Sequence, residues 1–198
     1  MNYQANFGFA GRAEYKPWGQ WSQYRDFTAL DDTCELLVFG GGFDYTEAGH
    51  QDAIRHVVDV VYESPRGLSA YAAYLGRFTL RGGRDGQDTY DPSVRVQVAM
   101  LVTRQIEPFA RYDYFHLDGR ELPTGVKANV HELTLGTNYY LHSYRAKFTA
   151  DVIYLPLGTP IADDAGDVLS TGATIANSSF TRGGGKEIVA RVQFQLVL

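Results

Sequence analysis

The chain has 198 residues, a formal net charge of −5 and a pI near 5.5, which argues against a nucleic-acid-binding protein because such proteins need a net basic face. Its 14 Tyr, 11 Phe and 21 Gly favour β structure with aromatic residues at a membrane interface, and no run approaches the roughly 18 apolar residues of a transmembrane helix. The single cysteine excludes a disulfide within the chain.

Apolar and polar residues alternate along the chain in segments that predict about nine β-strands. In the first segment Phe7 and Tyr15 fall on one face and Arg12 falls on the other. The fifth segment alternates most cleanly, with valines such as Val96 on one face and Arg95 on the other. In chain order, the predicted strands cover residues 3–16, 34–46, 53–63, 68–80, 94–103, 106–116, 130–141, 145–155 and 187–198.

The length of these segments points to a membrane rather than to a soluble sandwich. Most have about 10 to 14 residues, whereas a tilted strand needs roughly 9 to 11 residues to cross a bilayer. Strands of soluble proteins more often have about 5 or 6 residues. The predicted fold is therefore all-β: a transmembrane antiparallel up-and-down β-barrel.

The predicted connections alternate in length, as they do in barrels with short periplasmic turns and long external loops. Short links are predicted at residues 64–67, 104–105 and 142–144, and longer polar links at 81–93, 118–129 and 156–185. Residues 17–33 break this rule. We interpret them as an extended periplasmic connection that places Trp18, Trp21 and Tyr24 near the membrane interface.

The odd number of predicted strands bears on domain organisation. Residues 1–198 form one predicted domain. A complete single-chain bacterial barrel has an even number of strands, so nine indicate either a miscount or a chain that lacks an N-terminal portion, and we favour the second. The first residues also lack the basic and apolar regions of a signal peptide, which an exported barrel must have carried.

The polar face carries a cation on almost every predicted strand, interleaved with carboxylates. The candidate pore-lining residues are Arg12, Arg55, Arg77, Arg95, Arg111, Arg145, Lys147 and Arg191, with the acidic Glu107 and Asp113. Charges cannot lie unpaired in a dry interior, so this face is either wet or fully paired. In a wet lumen the arginines favour anions. Alternatively, the arginines and the carboxylates neutralise each other, and they either keep the wall hydrated or plug a small barrel.

Other motifs give no site. Tyrosines on the apolar face favour aromatic girdles, with the core of a soluble β protein as the alternative. The acidic stretches at residues 85–88 and 163–167 lack the spacing of a calcium loop and are predicted to be solvated turns, and the glycine-rich residues 182–186 precede a strand rather than a phosphate-binding helix. The histidines are scattered and no Gly-x-Ser-x-Gly element occurs, so we predict no metal, cofactor or enzymatic activity.

Four segments resemble a known family. GRAEYKPWG at residues 11–19, IEPFARYDY at 106–114, GTNYYL at 136–141 and ARVQFQL at 190–196 are similar to the C-terminal half of the phosphate-selective porins O and P. The resemblance implies a trimeric barrel of about 16 strands in the outer membrane of a Gram-negative bacterium, of which this chain is the second half. The chain departs from the family at Leu198, where such strands commonly end in Phe, and in its polar-face carboxylates.

Three functions follow as expectations. The leading one is a porin for passive diffusion of small hydrophilic solutes or ions, with a preference for anions or phosphate set by the lumen arginines. Its partners would be outer-membrane lipid, small anions or other hydrophilic solutes, and two further copies of the chain. The alternatives are a non-channel outer-membrane barrel with a structural or adhesion role through its external loops, and a soluble β protein that binds a ligand.

Overall fold

The computed structural model describes residues 7–24, 27–48, 51–81, 86–120, 128–142, 145–158 and 186–196. These residues form a single sheet of nine antiparallel strands in chain order, which confirms the predicted all-β, up-and-down arrangement. The strands are β1 (Phe7–Trp18), β2 (Leu36–Ala48), β3 (Gln51–Glu63), β4 (Leu68–Leu80), β5 (Thr89–Met100), β6 (Ile106–His116), β7 (Asn129–His142), β8 (Ala146–Leu155) and β9 (Glu187–Leu196). No helix in the described part of the chain is long and apolar enough to cross a membrane. The acidic stretch at 163–167 and the glycine-rich residues 182–185 lie outside the described residues.

The connections follow the predicted alternation with two differences. β5 begins at Thr89, so the predicted long link at residues 81–93 is shorter than expected. Its Asp, Pro and Ser residues are typical of turns, but Tyr90 lies opposite Phe78 and the two rings stack at 4.1 Å, which favours strand pairing there. At the same end of the sheet, β2 and β3 are separated only by residues 49–50.

The strands are staggered in the manner of a barrel wall. One row of directly opposed residues begins at Tyr15, near the end of β1, passes Val96 on β5 and ends at Ile188, near the start of β9. A steady shift of this kind is what tilted barrel strands require. Within the described residues, β1 and β9 each pair with one neighbour only, and the sheet is not closed.

The two faces of the sheet differ sharply in composition and burial. We call the face that carries Phe9, Val96 and Val192 the apolar face, and the opposite face, which carries Arg12 and Asp59, the polar face. Large hydrophobic side chains on the apolar face are exposed, with Val192 at 77%. Carboxylates on the polar face are buried, with Asp113 at 1%. The polar face therefore buries carboxylate side chains, whereas the apolar face leaves its large hydrophobic side chains exposed.

Candidate functional site: the polar face of the sheet

The structure places nearly all of the predicted pore-lining residues on the polar face. These are Arg12 on β1, Arg55 on β3, Arg77 on β4, Arg95 on β5, Glu107, Arg111 and Asp113 on β6, Lys147 on β8 and Arg191 on β9. Arg145 differs, because β8 begins at Ala146 and Arg145 lies exposed in the turn before it. Lys147 lies opposite Tyr140, and its Nζ is 6.0 Å from the centre of that ring.

Arg12 reaches across a whole strand to its partner. Its Nη1 and Nη2 donate to the two carboxylate oxygens of Asp59 at 2.7 and 2.9 Å, and its Nε donates to Glu14 at 2.8 Å. Arg12 is on β1 and Asp59 on β3, so the pair passes over Gly40 on β2. A Cβ at Gly40 would lie 2.6 Å from Asp59 Oδ1 and closer still to Arg12 Nη2. Glycine at this position therefore makes room for the bidentate pair.

A second charge network joins β5, β6 and β7. Arg95 and Arg111 both contact Asp113, at 2.5 and 3.0 Å, and Arg111 also lies 3.5 Å from Glu132. Arg95 lies directly opposite Asp113, and Asp113 directly opposite Glu132. Arg111, two residues before Asp113 on β6, contacts both of these neighbouring carboxylates. Paired charges of this kind can be buried where isolated ones cannot.

Arg55 and Arg77 are directly opposed, yet each has its own carboxylate. Arg55 Nε lies 3.0 Å from Asp44 on the strand before it, and Arg77 Nη2 lies 2.6 Å from Asp91 on the strand after it. The two arginines therefore lie side by side in one row across the sheet, with Asp44 on one side of them and Asp91 on the other. Like charges placed directly opposite each other destabilise a sheet, and the flanking acids offset this repulsion.

The ion pairs are asymmetric in their exposure. The Arg12 side chain is 40% exposed and its partner Asp59 only 4%, and Arg95 is 38% exposed against 2% for Asp113. Arg191 on β9, which donates to Asp151, repeats the pattern. The polar face therefore presents guanidinium groups to solvent, with their carboxylates beneath them against the sheet.

Glu107 departs from the role predicted for it, because it is fully buried instead of lining an open lumen. Its Oε1 accepts a hydrogen bond from Thr28 Oγ1 at 2.8 Å. Its Oε2 accepts from Asn138 Nδ2 at 2.8 Å and from Tyr140 Oη at 2.6 Å. Thr28 belongs to the β1–β2 connection, so that connection covers Glu107.

The β1–β2 connection, which we call the inner segment (residues 19–24 and 27–35), lies against the polar face. It leaves β1 at Gly19, whose φ of +90° few other residues adopt. Tyr24 Oη donates to Glu14 at 3.1 Å, and the Phe27 ring packs edge-on against Tyr71 at 5.6 Å. Ala29 is buried. The interpretation of residues 17–33 as an extended connection was therefore wrong, because this segment buries apolar side chains against the sheet; its periplasmic location stays a prediction.

Sequence reasoning missed the residues that hold the inner segment. Thr28, Asn138 and Tyr140 meet at Glu107, although Thr28 and Tyr140 are 112 residues apart in the sequence. Alternation places Asn138 on the polar face, but nothing in the sequence indicates which segment would cover it. A group of at least three His, Cys, Asp or Glu suited to a metal does not occur in the described part of the chain.

The apolar face carries polar ring groups that bond to one another. Tyr74 and Tyr90 share a hydrogen bond at 2.6 Å, and Tyr112 Oη lies 2.8 Å from His131 Nδ1. Tyr114 Oη donates to Asn129 at 2.8 Å. Hydrogen bonding along the face reduces the cost of placing these groups beside apolar surroundings. The predicted aromatic girdles remain a prediction.

No protein-family model, curated protein or solved structure matches this chain. Its resemblance to the phosphate-selective porins stays a prediction. Evidence on function therefore comes from the geometry of the two faces.

Proposed function

We propose that this chain forms part of the wall of an outer-membrane β-barrel whose polar face lines a water-filled channel for small hydrophilic solutes and ions. The observation that carries the proposal is the sorting of the two faces. Side chains such as Phe43, Val98 and Val192 are exposed on one side, and charged pairs occupy the other. Barrel strands in a membrane alternate in this way, apolar toward lipid and polar toward the lumen.

The extent of the apolar face favours lipid over water. Nine strands spaced about 4.8 Å apart, each roughly 40 Å long, give an apolar face on the order of 1,500 Å². The largest apolar patch on a soluble monomer is typically about 300–600 Å². A soluble ligand-binding protein with this surface would associate or aggregate, so we favour the membrane.

The exposure of the guanidinium groups supports a preference for anions. An ion that follows the polar face meets Arg12 and Arg95 before it meets their buried carboxylates. The pairing weakens the preference, since each arginine is partly neutralised by its acid. We therefore propose a channel that passes anions better than cations, by a small factor.

Closure of the barrel requires strands beyond the nine. β1 and β9 run in the same direction, because they are the first and ninth strands of an up-and-down sheet. Antiparallel pairing at both edges therefore needs an odd number of further strands between them. We propose that such strands complete the barrel, in keeping with the larger barrel that the family resemblance implies.

Reconstitution into planar bilayers tests the channel. We expect discrete conductance steps from the folded full-length protein and none from the same preparation after heat denaturation. Folded, membrane-inserted protein that gives no steps would overturn the channel proposal. A double variant with Arg95 and Arg111 both replaced by Gln should shift the reversal potential, measured in a salt gradient, toward the equilibrium potential of the cation. An unchanged potential would refute the selectivity.

A second candidate has one observation in its favour. The inner segment lies on the polar face, and the charges there are paired, as in a barrel whose lumen is filled. A non-channel barrel with a structural or adhesion role would give this arrangement. Folded insertion without conductance at any pH is the result that this candidate predicts.

A further inference from the structure

The inner segment is attached to the sheet through acidic side chains. Besides the Thr28–Glu107 contact, it brings Asp32 beside Glu63, the last residue of β3. Glu63 is fully buried. Neither of its carboxylate oxygens accepts a well-formed hydrogen bond, and neither does Asp32 Oδ2. The donors nearby are uncharged: the backbone N–H of Thr28 beside Glu63 and the Gln23 side chain beside Asp32.

The pairing of Asp32 and Glu63 depends on a proton. The two carboxyls are close enough to form a hydrogen bond with each other. An ionised carboxylate can only accept, so this bond forms only when one of the two is protonated. Burial raises the pKa of Asp32, which is the direction expected for a carboxyl that retains a proton in the folded state.

No neighbouring cation in the described part of the chain replaces that proton. The charged groups that act on the pair, Asp31 on the segment and Glu107 on β6, are themselves acidic. The residues level with Glu63 are Leu36 and Ser69 on the adjacent strands and Ala99 on β5, none of which carries a charge. Arg12 on β1 is held by Asp59 and Glu14. Loss of the proton therefore leaves Asp32 and Glu63 both ionised and close together, with the Glu107 carboxylate nearby.

We propose that the inner segment is a pH-dependent plug, held on the polar face by a proton shared between Asp32 and Glu63 and released when that proton is lost. The shared proton has a higher pKa with the segment docked than with it released. The stabilisation of the docked state is thus fully present at low pH and is lost as pH rises through the docked-state pKa. The consequence for solute flow rests on the proposed channel, whereas the movement of the segment does not.

The single cysteine reports this movement directly. Cys34 lies in the inner segment, half-buried, and its thiol donates to Gln23 Oε1 at 3.0 Å. The rate of alkylation by a neutral maleimide can be measured on folded protein in vesicles between pH 5 and 9. Division by the rate of the unfolded chain at each pH removes the effect of thiol ionisation itself.

We expect this ratio to rise with pH in the wild-type protein, by at most about tenfold per pH unit, the limit for release of one proton. Glu63→Gln supplies an amide that donates to Asp32 without a shared proton, so its ratio should stay low throughout. Asp31→Asn removes a neighbouring exposed carboxylate that raises the pKa of Asp32, so its ratio should still rise with pH, but at a lower pH than in the wild type. A flat wild-type ratio, or a Glu63→Gln profile equal to the wild type, would overturn the plug.

Conductance measured on the same samples separates this inference from the proposed function. Current that rises with pH in the wild type and stays low in Glu63→Gln supports both. A pH-dependent alkylation ratio without current at any pH retains the plug and refutes the channel. Current that does not change with pH, together with a flat ratio, retains the channel and refutes the plug.

Discussion

Gly40→Ala tests whether the Arg12–Asp59 ion pair needs the space above β2 that a glycine leaves open. The added methyl would lie 2.6 Å from Asp59 Oδ1, which is closer than real Cβ contacts allow. Both affected atoms are ends of side chains, so we expect the backbone to remain and the bidentate pair to separate. Gly41→Ala is the matched control, because its methyl lies on the opposite face with no atom nearer than 3.9 Å.

The structure sets the size of the effect. The Asp59 side chain is 4% exposed, so separation leaves a buried carboxylate with weaker bonds, at a cost of about 1.5–3 kcal/mol for a charged hydrogen-bonding group. Exposure of Arg12 and its second bond to Glu14 reduce that cost, and we expect a loss of about 1–2 kcal/mol in the free energy of unfolding. Gly41→Ala should be neutral or stabilise the strand by up to about 1 kcal/mol, because glycine is unfavourable inside a strand.

Urea unfolding in lipid vesicles, followed by tryptophan fluorescence, measures both variants under the same conditions. We expect a lower midpoint for Gly40→Ala and an equal or higher midpoint for Gly41→Ala, relative to the wild type. Equal midpoints for the two variants would show that the pair over β2 does not stabilise the fold. An Asp59→Asn background should abolish most of the Gly40→Ala effect, since the two changes act on one interaction.

Three further predictions concern burial, lipid contact and pH. Glu107→Ala should lower the free energy of unfolding by about 3–5 kcal/mol, because three donors lose their buried acceptor, and a wild-type urea midpoint would contradict this. Val192→Arg should make membrane insertion less favourable by about 2–4 kcal/mol if residue 192 lies near the bilayer centre. Gln193→Arg, on the polar face, should insert normally in a vesicle folding assay. Equal yields of folded protein for the two variants would argue against lipid contact. The backbone N–H of Arg120 donates to the Asp118 carboxylate and lowers its pKa. The order of residues 117–120 should therefore be retained above the pKa that Asp118 has in the unfolded chain, and lost as pH falls through its lower pKa in the folded state. Hydrogen exchange should show this loss, and Asp118→Asn should remove its pH dependence; a variant that keeps it would refute the assignment.

Much of the fold follows from alternation, which is a local property. The side-chain period of a strand assigns Arg12 to one face and Tyr15 to the other before any pairing is known. The start of β5 was missed because Pro92 and its polar neighbours are typical of a turn. The cross-strand stack of Phe78 on Tyr90 could not be predicted without the register.

The candidate site was predicted only in part, because its pairing depends on contacts between distant segments. Alternation places Arg12 on the polar face, but its partner Asp59 lies two strands away, and Gly40 between them has no signature in the sequence. The inner segment was harder still. Phe27 and Thr28 do not alternate with their neighbours in a pattern that indicates where they pack, so the sequence predicted that Glu107 faces an open lumen.

The most direct test of the account is a spin-label scan along β9, with single cysteines introduced into a Cys34→Ser background in lipid vesicles. We expect strong collision with oxygen and weak collision with a water-soluble nickel chelate at residues 188, 192, 194 and 196, and the reverse at 191 and 193. A regular alternation of period two would place lipid on one side of the strand and water on the other. Equal access of the nickel chelate to both sets of positions would contradict the proposed membrane barrel.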